Sequence, residues 1–375
     1  MITMTTKGKP LALRNTIVGR IKRDIQNRST IWVTGDKFEN SKIDDFPVRL
    51  TDQVVSSSIV PIVHSIPSLS HLQDGDIVVV QMSGMVRTLF RVHSMDNSLF
   101  TTDRCNSNCL MCSQPPKNID DVEYHYQINH QVIKLIPAET EILGITGGEP
   151  TLMQERFFDM IGHINTILPD TLIHILTNGR AFAWKNFIDR FEVVNTQNIV
   201  LGIPLYSDFY LDHDYIVQSR NAFNQTVLGM HRLARLNSRI ELRIVLHKLT
   251  YKRLEALAKF IFMNIPFIEQ VAFMGLEYTG YTPANDQLLW IDPVDYMKEL
   301  QIAIEYLNSN AIKVSIYNHP LCLLPDSIRK FAVKSISDWK VNYLEECGMC
   351  EIKSRCGGVF GTSKKMSLSI RAQQK

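Results

Sequence analysis

The residues of this 375-residue chain with the clearest chemical capacity are its seven cysteines, which divide into three and four. Cys105, Cys109 and Cys112 stand in the run DRCNSNCLMCSQPP with the spacing C-x3-C-x2-C. Thiolates are soft ligands that suit iron–sulfur clusters, zinc or copper(I). A closed cage takes four protein ligands, so three thiols on a short loop wrap one corner of a four-iron cluster and leave one iron open. An open iron can take a small chelating ligand, such as the amino and carboxylate groups of an amino acid. The plainer readings are a zinc knuckle completed by His125 or His130, and buried structural thiols. CNSNCLMC is too polar and too rich in cysteine for ordinary core. The other set, Cys322, Cys347, Cys350 and Cys356, is a full complement: a C-x2-C hook, a third thiol after five residues, and a fourth from upstream. By spacing alone this is a zinc ribbon or a closed four-iron cluster.

The elements that must position these thiols show in the hydrophobic pattern. Residues 1–97 read as β-rich, with DGDIVVVQ and SGMVRTLFRV as strands joined at a glycine turn. From 98 to 320 short apolar strands alternate with longer amphipathic stretches. SLFTTD, EILGIT, TLIHILT, NIVLGIPLYS, RIELRIVLHK and IEQVAFMGL are the strands, each followed by a helical pattern. Six β–α units in succession imply a parallel sheet, because parallel neighbours need long connections. A doubly wound open sheet and a partial barrel both fit, and both seat ligands at the carboxyl ends of the strands. The cysteine trio directly follows the first of these strands. Residues 321–375 have few regular elements and end in TSKKMSLSIRAQQK, which reads as a frayed basic tail.

Composition narrows the function classes. The chain is 45% hydrophobic and 21% charged, with a formal net charge of +2. That charge gives no field of the kind that announces nucleic acid or an anionic membrane. No apolar run approaches the ~20 residues of a membrane helix. MITMTTKGKPLALRN lacks the pattern of a signal peptide, so a cytoplasmic, reducing location without disulfides is expected. The β-rich unit invites two expectations: recruitment of a peptide by strand addition at an exposed edge, or simple packing over the barrel's open side.

C-x3-C-x2-C after the first strand of a β/α sheet resembles the signature of the radical S-adenosylmethionine (SAM) enzymes. The resemblance covers about residues 98–320, and the tail extends it to about 360. It implies an α/β fold: a partial (β/α)6 barrel (98–320) between an N-terminal β-rich domain (1–97) and a cysteine-rich extension (321–375). It implies a [4Fe-4S] cluster on Cys105, Cys109 and Cys112 whose open iron binds SAM. The family carries an aromatic residue before the third cysteine, near the adenine. Here Met111 stands in its place and offers a polarizable surface instead. GITGGEPTL, at the end of the second strand, resembles the motif that holds the methionyl amino group. Gly147 and Gly148 carry over as backbone contacts and Glu149 as an orienting side chain. Asn178 in ILTNGR, Ser207 after IPLY, and Arg243 in ELRIVLHK, with His247 close by, stand where the family's remaining SAM contacts lie. Each equally suits a turn, a helix cap or a core hydrogen bond. Glu277, in MGLEYTGY, is expected to face the substrate.

CNSNCLMCSQPP, ITGGEPTL, MGLEYTGY and the terminal C-x2-C-x5-CGG together look most like the His-Xaa-Ser system radical SAM maturases. That likeness implies reductive SAM cleavage to a 5′-deoxyadenosyl radical and oxidative modification of a small ribosomally made peptide with His-Xaa-Ser repeats. It also implies a partner radical SAM maturase and an external electron donor. Cys322, Cys347, Cys350 and Cys356 would hold a second [4Fe-4S] cluster, with zinc as the alternative. Two further readings stand beside it. One is a radical SAM enzyme acting on RNA or a cofactor precursor, although the chain shows no basic, aromatic-bearing stripe. The other is a non-catalytic zinc-binding module.

Overall fold

Short runs of β-branched residues such as IVVV at 77–80, buried throughout, set the first part of the chain into strands. The computed structural model describes residues 4–23, 30–34, 48–194 and 196–374. Its first sheet contains β1 (Thr5–Lys7), β2 (Lys9–Leu11), β3 (Ile17–Arg23), β4 (Thr30–Thr34), β5 (Val48–Thr51), β6 (Ile62–His64), β7 (Ile77–Val80) and β8 (Met85–Phe90). Their order is β1-β8-β7-β3-β4-β5-β6-β2. β1 and β2 lie at opposite ends of that order yet are separated in sequence only by Gly8. One stretch of chain therefore pairs with β8 through its first half and with β6 through its second, tying the two ends of the sheet together. Glycine is required at the crossing, since a Cβ on Gly8 would lie 2.4 Å from the His64 carbonyl oxygen. β1 and β2 are short, three residues each, and each pairs on one side only, with β8 and β6.

The second sheet is wholly parallel and runs in sequence order: β9 (Ser98–Phe100), β10 (Ile142–Thr146), β11 (Leu172–Leu176), β12 (Ile199–Pro204), β13 (Arg239–Leu246), β14 (Gln270–Gly275) and β15 (Val314–Tyr317). Sequential order without reversal is the winding of a barrel, not of a doubly wound sheet, whose strand order switches direction. The six expected strands are present, and β15 adds a seventh. Four residues, VSIY, are too short to display a period of two, which is why the sequence pattern passes over it. The connections carry α1 (Val122–Leu135), α2 (Glu155–Ile167), α3 (Lys185–Glu192), α4 (Tyr210–Val217), α5 (Ala222–Arg235), α6 (Leu254–Asn264), α7 (Asp286–Leu289) and α8 (Met297–Ser309).

Alternation along the strands divides the two faces. Ile173, Ile175, Leu201, Ile203, Leu242, Ile244 and Phe273 are fully buried in one core shared with the helices. Their alternates meet on the concave side. There Glu241 accepts hydrogen bonds from Arg243 Nη1 (2.5 Å), Gln270 Nε2 (2.5 Å) and Tyr317 Oη (3.0 Å). Gly202 makes room for this cluster, because a Cβ there would meet His174 Nε2 and Arg243 Cδ at 3.0 Å.

The last segment differs from expectation. Residues 361–374 do not fray but lie across the barrel loops. Lys365 Nζ pairs with Asp286 (2.7 Å), Ser367 Oγ donates to Asp292 (2.7 Å), and Ile370 is buried. The basic, polar composition masked this, since it is the spaced apolar residues and the two acidic partners far upstream that hold the segment down.

Candidate functional site

The cysteine loop begins where β9 ends. Thr102 Oγ1 donates to Asp121 Oδ1 (2.5 Å) and the Asp103 N–H to Asp121 Oδ2 (2.8 Å), so the residue before α1 fixes the loop's entry. The last turn of α4 supplies two carbonyls that lack intrahelical partners. Val217 accepts from the Asn108 N–H and Ile216 from the Leu110 N–H, both at 3.0 Å. From the far side, the Tyr281 N–H donates to the Cys112 carbonyl (2.9 Å) and Asn285 Nδ2 to the Leu110 carbonyl (2.9 Å). The loop is thus gripped at entry, middle and exit before any ligand enters.

The glycine pair after β10 serves the chain itself. The Gly148 N–H donates to the Thr102 carbonyl (2.7 Å) and the Glu149 N–H to the Arg104 carbonyl (2.8 Å). A Cβ on Gly148 would lie 2.1 Å from the Arg104 oxygen, and one on Gly147 would lie 2.6 Å from Thr101 Oγ1. The missing Cβ atoms admit the backbone that leads into Cys105, and that packing is the reason for glycine at both positions. Glu149 is buried beside them. Its Oε1 accepts from Thr151 N (3.1 Å), Thr151 Oγ1 (2.7 Å) and Thr177 Oγ1 (2.6 Å), and its Oε2 from Asn178 N (2.7 Å). Burial holds this carboxyl above the usual range. Glu149 therefore joins the ends of β10 and β11.

Asn178 Nδ2 donates to Asn106 Oδ1 (2.6 Å), bringing the turn after β11 onto the cysteine loop. Ser207 Oγ accepts from the Phe209 N–H (3.1 Å), a local turn at the start of α4. Arg243 points to the concave side, bonded to Glu241. His247 is fully buried, with Nδ1 accepting from the Leu249 N–H (3.2 Å), and burial pushes its pKa down to about 3. Met111 packs in a small apolar cluster with Tyr206, Ile216, Val217, Ala222 and Leu289, and Cys109 lies against it. Tyr206 was not singled out from the sequence. Burial first, then the nearby thiols, raises its phenol pKa well above normal. The Glu277 carboxylate accepts from Thr362 Oγ1 (2.5 Å) and Lys340 Nζ (3.2 Å), which tie it to the C-terminal segment. His125 pairs with Asp121 at 3.4 Å and His130 stacks on His163 at 3.9 Å, so neither imidazole completes the thiol trio.

Residues 99–261 match the family profile of the Radical SAM superfamily. This stretch is a radical SAM superfamily domain. No curated protein matches the chain. Among solved structures, it is similar to Streptococcus suis SuiB bound to S-adenosylmethionine, with a TM-score of 0.47 and 14% identity over 58% of this chain and 49% of that one. It is similar also to anSMEcpe with bound AdoMet and Cp18Cys peptide (TM-score 0.45, 16% identity, 58% and 62% of the chains). A third is a domain of pyruvate-formate lyase-activating enzyme from Bacteroides vulgatus (TM-score 0.36, 19% identity, 46% and 96%). The chain thus spans about half the length of SuiB.

A radical SAM domain implies SAM and a four-iron cluster, and the three thiols are of the kind such a cluster takes. Burial, followed by the charge of Glu149, pushes the Cys105 thiol up to about 12. Cys109 is raised further by burial and by its two neighbouring thiols. Thiols raised in this way stay protonated until a metal displaces the proton. Among the described residues, the only histidine, cysteine or carboxylate ligand atoms gathered in threes within 4.8 Å belong to Asp103, Asp121 and His125. Four sulfurs around one zinc at about 2.3 Å would lie about 3.8 Å apart. Neither cysteine set is gathered that closely among the described residues.

The second set closes a separate pocket in the tail. Cys322, Cys347, Cys350 and Cys356 all line it, with Val359 and Ile370 as apolar walls. Backbone N–H groups are aimed at the sulfurs. Leu321 and Gly358 donate to Cys356 Sγ, and Gln373 donates to Cys350 Sγ, each at 3.4 Å. No helix of the described residues is long and apolar enough to cross a membrane.

Proposed function

We propose that the protein is a radical SAM peptide maturase of the His-Xaa-Ser type. In this reading Cys105, Cys109 and Cys112 hold a site-differentiated [4Fe-4S] cluster, and Cys322, Cys347, Cys350 and Cys356 hold a second, fully ligated one. When bound, the first cluster and SAM supply reductive cleavage to a 5′-deoxyadenosyl radical, which takes a hydrogen atom from the substrate. The chain's own residues place and shield that chemistry. Glu149 and Asn178 lock the turns after β10 and β11 against the cysteine loop. Met111 and Tyr206 form a dry wall beside Cys109. Arg243, held by Glu241 through Nη1, lies on the concave side, where its guanidinium suits a carboxylate.

One observation supports the reading above the others: a three-thiol loop at the carboxyl end of a parallel barrel sheet, accompanied by a separate four-thiol pocket. An oxidative peptide modification needs an electron acceptor, and a second cluster would serve as one. The substrate is a small ribosomally made peptide, the setting is the cytoplasm, and both an external reductant and a partner maturase take part. The test is anaerobic incubation of the reduced, reconstituted chain with SAM and His-Xaa-Ser peptides, alone and with the partner. Formation of 5′-deoxyadenosine together with a peptide mass loss of two hydrogens is expected. Nucleoside formation with every peptide left unaltered defeats the peptide assignment.

A further inference from the structure

Arg180 follows the Asn178–Gly179 turn and has no place in the site described so far. Its Nη1 donates to the Asn106 carbonyl (2.6 Å), Ser107 Oγ (3.0 Å) and Ser219 Oγ (2.8 Å), while Nε donates to Gln225 Oε1 (2.7 Å). Asn106 and Ser107 lie between Cys105 and Cys109, and the Ser107 N–H is directed at Cys105 Sγ (3.4 Å). Ser219 Oγ reaches the same Asn106 carbonyl (3.3 Å). The turn after β11, the link between α4 and α5, and α5 itself therefore all meet the cysteine loop through one guanidinium. The planar fork suits this work, since a lysine cannot address several acceptors in fixed directions.

The company it keeps is unusual for a half-buried cation. All four oxygens around it are neutral. Among the described residues no carboxylate lies within the 4.0 Å of an ion pair with Arg180, although fifteen pairs of lysine or arginine with a carboxylate form elsewhere. A desolvated charge calls for an opposite one nearby. The negative groups that act on it are Cys105 first, then the carboxylates of Glu149 and Asp214, and Cys109; of these the two thiols belong to the metal site.

We propose that Arg180 is a positioning residue of the metal site: it clamps the Cys105–Cys109 turn and fixes a positive charge beside the thiolate-bound cluster. The inference rests on the reading of Cys105, Cys109 and Cys112 as cluster ligands. A fixed cation favours the more negative, reduced cluster, so it raises the reduction potential. Removing it makes the cluster harder to reduce, and removing the fork loosens the turn.

The test uses the full, reconstituted chain as wild type, Arg180→Gln and Arg180→Lys. Two quantities are read: the rate of iron loss to a chelator, and the midpoint potential of the EPR signal that SAM perturbs. Arg180→Gln should lose that cluster's iron about tenfold faster, the step that losing one charged hydrogen bond represents, and its potential should move negative. Arg180→Lys should lose iron faster too but keep the wild-type potential, because the charge survives and the fork does not. Arg180→Gln protein equal to wild type in both readings overturns the proposal, as does an identical shift of potential in the two variants. Wild-type protein that takes up no iron at these thiols defeats instead the underlying cluster reading.

Discussion

Gly148→Ala is the substitution whose consequence the structure fixes most closely. The new methyl carbon would sit 2.1 Å from the Arg104 carbonyl oxygen, 2.6 Å from its carbon and 3.1 Å from the Asp103 oxygen. All three atoms are backbone, so no side chain can swing away, and the strand entering the cysteine loop must retreat by about 1 Å to restore ordinary contact. Overpacking of this kind costs about 1–3 kcal/mol. The retreat also breaks the hydrogen bonds from the Gly148 and Glu149 N–H groups, at about 1 kcal/mol each. The sum, about 3–5 kcal/mol, is a large part of the 5–15 kcal/mol that holds an ordinary domain together. Gly162→Ala provides the matched control, because no atom lies within 4 Å of a Cβ at that exposed helix position. It should be neutral or stabilising by up to about 1 kcal/mol. Urea denaturation of both variants measures the difference, and iron content after reconstitution reports the displacement of Cys105. Gly148→Ala protein that loses less than about 1 kcal/mol and binds full iron would refute the packing argument.

Three further outcomes follow from the same geometry. Glu149→Gln places an amide N–H₂ against the Asn178 N–H and should cost about 1–3 kcal/mol. The raised wild-type pKa means that Glu149 contributes full stability below the unfolded value of about 4.3 and loses it as pH rises through the folded one, so the wild-type advantage in denaturation midpoints should narrow as pH rises from about 4.3. Cys350→Ser should reduce bound iron from about eight to about four per chain while leaving the SAM-sensitive signal in place, read by iron analysis and EPR. Ending the chain after Gly361 removes Ile370 and the Gln373 N–H from the second pocket, and a chelator should then strip that site's iron first, seen as two separate phases of iron release.

The parts of this architecture that depend on local pattern were legible in the sequence. Six parallel strands announced themselves through apolar runs with long helical connections, and the C-x3-C-x2-C loop through the chemistry of three thiols. The parts that depend on distant partners were not. The two ends of the first sheet meet because Gly8 lets one stretch pair with both β8 and β6, and no periodicity encodes that meeting. Glu277 sits at a strand end, where a substrate contact was expected, and its carboxylate accepts from Lys340 and Thr362, far along the chain. The tail is pinned by Asp286 and Asp292, which composition alone could not connect to it. Gly147 and Gly148 were found by motif, but their physical reason, the approach of the Thr102–Arg104 backbone, needed coordinates. Arg180 and Tyr206 carried no signal beyond their proximity to strand ends.

The claim on which the account depends is that the Cys105, Cys109 and Cys112 cluster keeps one iron free for SAM. EPR spectra of the reduced, reconstituted chain, recorded with and without SAM, test it most directly. The account predicts a signal that changes on SAM addition and is absent from Cys109→Ser protein. A four-iron signal that SAM leaves untouched, at this site, would contradict it.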